Sequence, residues 1–98
     1  MVVASSQVEI RIRREDQPDR TITLDAGKHS VGREPSCDVQ LEDRKVSRRH
    51  CQIQVEAGNI TVTDLQSQNG TLLGGIRLVP EEPTRWSTPT ILSIGPFN

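Results

Sequence analysis

Three short polar segments carry the residue types that can do chemistry. They are Gly32-Arg33, Asp43-Arg-Lys-Val-Ser-Arg-Arg-His50 and Gln66-Ser-Gln-Asn-Gly-Thr71. Residues 43–50 hold one acid against four Lys/Arg, a local charge of +3 in a chain whose formal net charge is −1. Concentrated cations beside a hydroxyl and turn amides suit a single phosphate group. Arginine offers a fork of donors, Ser47 a neutral donor, and consecutive loop amides an anion-binding concavity. A Ser47–His50 pair also raises a nucleophile–base reading, but no third member or oxyanion donor accompanies it. His50 fits better as a buried, hydrogen-bonded residue that holds the Ser47 loop. Arg33 has its own local alternative, a surface ion pair with Glu34 or Asp38, which would contribute little. Arg49 reads as solvated or structural, and His29 as ordinary.

These loops need strands to position them, and alternation supplies the strands. In Val8–Arg14, residues Val8, Ile10 and Ile12 share one face while Glu9, Arg11 and Arg13 take the other. Further strands are expected at Arg20–Leu24, His29–Gly32, Val39–Leu41, Cys51–Glu56, Ile60–Thr63, Thr71–Leu73, Ile76–Leu78 and Ile91–Ile94. Glu15–Asp19, Asp25–Gly27, Ala57-Gly58-Asn59 and Gly74-Gly75 supply turns, and Val79–Thr84 reads as a connector. Twenty-five of the 98 residues are Val, Ile or Thr, against three Ala and seven Leu. β-branched residues lose rotamer freedom in helices and pack well on pleated sheets, so the composition favours an all-β sandwich or barrel.

The same composition excludes several functions. Twelve basic and thirteen acidic residues leave no polybasic or acidic tail. The basic patch Arg44, Lys45, Arg48, Arg49 lacks interleaved aromatics for base stacking, so no nucleic-acid partner is expected. No apolar run approaches the ~18 residues that span a bilayer, and residues 1–6 lack the features of a signal peptide. Cys37 and Cys51 read as free thiols, Cys51 buried with Ile53 and Val55, which points to a cytoplasmic, reducing compartment. Two Cys and two separated His give no zinc spacing. No metal site and no cofactor are expected.

The three blocks, Gly32-Arg33-Glu-Pro-Ser-Cys-Asp-Val-Gln-Leu41, Val46-Ser-Arg-Arg-His-Cys51 and Asp64-Leu-Gln-Ser-Gln-Asn-Gly-Thr71, together resemble a forkhead-associated (FHA) domain. The resemblance runs from about Val8 to Gly95, after a flexible lead at 1–7, and treats 8–98 as one module that a larger protein could carry. It implies a two-sheet antiparallel β-sandwich with ligand loops at one end, and no catalytic residue. It implies binding of phosphothreonine in partner proteins marked by a Ser/Thr kinase. Arg33, Ser47 and Arg48 take the phosphate-binding positions. Asn69 takes the position that holds the ligand backbone, with Gln68 and Lys45 beside the peptide. Gly32, His50 and Gly70 shape the loops. Gln68 departs from the Ser or Thr common there, Pro89-Thr90 from Gly-Asp, and the chain reaches Asn98 where a closing strand is expected. The alternative is a phospho-independent interaction or scaffold domain.

Overall fold

A computed structural model describes residues 7–57, 59–87 and 90–98. All but Gln7 of the expected lead, Gly58 of the second hairpin turn, and Pro89 lie outside the described residues. The ten strands among the described residues are β1 (Val8–Arg14), β2 (Gln17–Leu24), β3 (Gly27–Gly32), β4 (Val39–Gln40), β5 (Cys51–Glu56), β6 (Asn59–Asp64), β7 (Thr71–Leu73), β8 (Ile76–Arg77), β9 (Thr84–Arg85) and β10 (Leu92–Ile94). No helix is present among them.

One layer is a five-stranded sheet of order β4-β3-β5-β6-β9. The other is built from the β1-β2 hairpin and a β10-β7-β8 sheet. Their link is the chain's last residue. Arg13 N–H donates to Asn98 O at 2.8 Å and Asn98 N–H returns to Arg13 O at 2.9 Å. Ile94 and Phe97 bridge just before it. Arg14 stacks its guanidinium 5.4 Å from the Phe97 ring centroid and pairs with Asp43 at 3.4 Å, so this corner is tied to the basic segment.

Alternation sets the core. Cys51, Ile53 and Val55 of β5 point inward, as do Val31 of β3 and Val62 of β6. They meet Leu24, Leu92, Ile94 and Phe97 from the facing layer. Both cysteines are buried free thiols. The sandwich is all-β as expected, with one parallel pair, β3 with β4, joined by the 33–38 loop.

The sequence-based boundaries shift in ways that have causes. The β1-β2 ladder runs on to Arg14↔Gln17, past a register shift after Ile12. The turn is therefore only Glu15-Asp16, and Pro18 sits within an exposed strand edge where a missing N–H is tolerated. β9, within and just beyond the expected connector, forms because Thr84 and Arg85 add to the β6 edge opposite Val62 and Thr61. A two-residue strand carries no alternation signal. His29 is also less isolated than the sequence implied, since its Nε2 lies 2.7 Å from Asp25 O.

Ile53 is 3% exposed whereas Ile76 is 73% exposed. We expect Ile53→Ala to lower the unfolding free energy by about 2–5 kcal/mol in urea titrations. Ile76→Ala should change it by less than about 0.5 kcal/mol.

Candidate functional site

The three polar segments converge on one end of the sandwich, and backbone pairing brings them there. Arg33 N–H donates to Ser47 O at 3.0 Å and Glu34 N–H to Arg48 O at 3.2 Å. This close pairing requires glycine at 32. A methyl at that position would sit 2.1 Å from the Arg48 carbonyl oxygen, and backbone cannot swing aside as a side chain would. Cys37 Sγ–H reaches the same carbonyl at 3.3 Å, closing the 33–38 loop over residue 48. At that loop's far end, Asp38 accepts from the backbone and side chain of Ser30, and these bonds hold its carboxyl below the usual range.

His50 fixes the second segment against the third. Its side chain is fully buried. Ser47 N–H donates to Nδ1 at 3.0 Å, so the ring proton must be on Nε2, which donates to Gly70 O at 2.9 Å. Burial depresses the His50 pKa, although the Gly70 bond and the nearby Asp64 charge oppose it. Both ring nitrogens are thus occupied by backbone, and His50 is not placed to act as a base on the Ser47 hydroxyl. That hydroxyl instead accepts from Gln68 N–H at 3.0 Å. Its own proton stays available to donate outward. Because the Gln68 contact is made by the main chain, the unusual side chain at 68 leaves it intact.

Asn69 completes the cross-link. Its Nδ2 donates to Lys45 O at 2.9 Å, while Lys45 N–H donates to Asp43 Oδ1 at 2.8 Å. The structure therefore places all nine residues singled out from the sequence in one loop cluster: Gly32, Arg33, Lys45, Ser47, Arg48, His50, Gln68, Asn69 and Gly70. The side chains of Arg33, Arg48, Lys45 and Gln68 are exposed and make no hydrogen bond or ion pair among the described residues. The nearby acids are engaged elsewhere. Glu34 lies 3.7 Å from Arg49, and Asp38 holds Ser30, so the local ion pair imagined for Arg33 does not form.

Sequence reasoning overlooked a buried acid beneath the third segment. Asp64 is 1% exposed. It accepts from Ser67 N–H at 3.1 Å, from the Ser67 hydroxyl, and from Thr71 Oγ1 at 2.6 Å. These three hydrogen bonds satisfy the buried side chain and fix the span that displays Asn69. A signal was present: Asp64 continues the inward parity of Val62 and is followed by hydroxyls at 67 and 71.

The model of the FHA domain family matches residues 29–95. The glycogen accumulation regulator GarA of Mycolicibacterium smegmatis is 38% identical over 60 residues, 61% of this chain and 38% of that protein. The oxoglutarate dehydrogenase inhibitor of Corynebacterium glutamicum is 30% identical over 86 residues, 88% of this chain and 58% of that protein. The chain thus spans less than two thirds of either relative. The N-terminal FHA domain of S. cerevisiae Rad53p, solved with a phosphothreonine peptide, is similar with a TM-score of 0.71 and 26% identity. That match covers 87% of this chain and 80% of the other.

Two outcomes follow from the buried contacts. Because His50 is held neutral below its ordinary pKa of 6.5, the unfolded chain takes up the proton first. The stability His50 contributes is complete above about pH 6.5 and is lost progressively as pH falls below it. Urea midpoints should drop between pH 7 and 5.5, and His50→Gln should flatten that slope while lowering stability at pH 7. Gly32→Ala should cost about 1–3 kcal/mol or more in the same assay and shift the Arg33 and Glu34 amide resonances.

Proposed function

This chain belongs to the FHA family, and from that premise we propose that its loop cluster binds a phosphothreonine side chain presented by a partner protein. The observation that carries the reading is a pair of arginines, Arg33 and Arg48, exposed and unpaired among the described residues, on segments hydrogen-bonded to each other at Ser47. A phosphate carries about −1.5 to −2 charges and three acceptor oxygens at neutral pH. Arg33 and Arg48 neutralise it, and the Ser47 hydroxyl, already accepting from Gln68 N–H, donates its remaining proton to a phosphate oxygen. Asn69 has one Nδ2 hydrogen committed to Lys45 O, which leaves the other and Oδ1 to bind the peptide backbone. Lys45 and Gln68 flank that backbone and contribute to which sequences are accepted.

The function is recognition and not catalysis. A Ser/Thr kinase must write the mark, and the module reads it on behalf of whatever protein carries residues 8–98. The regulatory names of the two relatives support a place in signalling or metabolic control. Two buried free thiols fit a reducing, cytoplasmic setting. No helix among the described residues is long and apolar enough to cross a membrane.

Charge-assisted hydrogen bonds contribute about 1.5–3 kcal/mol each. In fluorescence anisotropy titrations with phosphothreonine peptide libraries, Arg33→Ala should therefore weaken binding by about tenfold or more. The unphosphorylated peptides should not bind measurably. Equal affinity of wild type and variant, or binding that survives phosphatase treatment of the peptide, would overturn the proposal and favour a phospho-independent interaction domain.

A further inference from the structure

The loop that carries Asn69 has a cation beside it that the phosphate site does not use. Gly70 has φ +84°, and a methyl built on it would lie 2.6 Å from Arg77 Nε, 2.9 Å from Cζ and 3.2 Å from Nη2. The Arg77 guanidinium thus fills the space a side chain at 70 would take and lies flat against the backbone next to Asn69. Its base is fixed too, because β8 pairs Arg77 opposite Leu72 of β7. The group is exposed, and among the described residues it makes no hydrogen bond or ion pair.

Packing therefore places Arg77 without neutralising it. A planar guanidinium held by one face keeps its edge donors directed at solvent, where a carboxylate is the geometric match. Gly70, which this guanidinium covers, directly follows Asn69, the residue given the peptide backbone in the binding mode proposed above. We propose that Arg77 is a specificity-determining residue that selects phosphopeptides carrying an Asp or Glu near the phosphothreonine. This rests on the binding mode proposed above, with Arg77 outside the phosphate contacts.

The test uses phosphothreonine peptides, otherwise neutral, in which Asp is scanned over the four positions on each side of the phosphothreonine. Wild type, Arg77→Gln and Arg77→Lys are titrated by fluorescence anisotropy. At one position Asp should strengthen wild-type binding about twofold to fivefold, the range of a solvent-exposed ion pair. Arg77→Gln should erase that ratio and Arg77→Lys should keep part of it, with urea midpoints of both variants matching wild type. An Asp preference equal in wild type and Arg77→Gln, or no Asp preference at any position, overturns the role of Arg77 alone. Failure of wild type to bind any phosphothreonine peptide removes the underlying binding mode, and this inference with it.

Discussion

The recognition end of the molecule depends on one buried imidazole. His50 uses every polar atom it has on the backbone of its surroundings. Its own N–H donates to Val31 O at 2.8 Å and its carbonyl accepts from Leu65 N–H at 3.0 Å, while the ring spans Ser47 N–H and Gly70 O. One residue thereby holds the end of β3, the basic segment and the Asn69 loop at fixed separations. Loops as polar as these would otherwise each sample many conformations at a cost of about 1–2 kcal/mol per residue to order. The four hydrogen bonds that the neutral imidazole and the His50 backbone make offset part of that cost.

Electrostatics completes the arrangement through its asymmetry. The domain is near neutral, yet its acids are drawn off: Asp64 inside to three neutral donors, Asp43 to Lys45 N–H and Arg14, Asp38 to Ser30, Glu34 to Arg49. What remains exposed and unpaired around the three loops, among the described residues, is Arg33, Arg44, Lys45, Arg48 and, one strand away, Arg77. Such a surface suits a compact anion held by hydrogen-bond donors rather than by stacking.

Much of this was legible in the sequence because its causes are local. Alternation in Cys51–Glu56 and Val8–Arg14 names both strands and their buried faces, since a half-buried strand must alternate. The loop residues were legible as a set, because Gly32-Arg33, Ser47 with His50, and Asn69-Gly70 recur in a recognisable order. The remainder depends on tertiary approach. β9 is two residues long and exists only because the β6 edge accepts it. Asp64 reads as the first residue of a polar loop, and the structure shows it continuing the buried face of Val62. Arg77 lies within the expected Ile76–Leu78 strand without drawing notice, and only the space over Gly70 shows where its guanidinium rests.

The most direct measurement is amide and side-chain chemical-shift mapping by NMR as a phosphothreonine peptide is titrated into the protein. The expected result is that the amides of Arg33, Ser47, Arg48 and Gln68 and the side chain of Asn69 shift first and together, while the unphosphorylated peptide leaves them unmoved. Shifts centred on the sheet faces or on the β1 and β4 edges, or the same pattern from the unphosphorylated peptide, would contradict a phosphate site organised by His50.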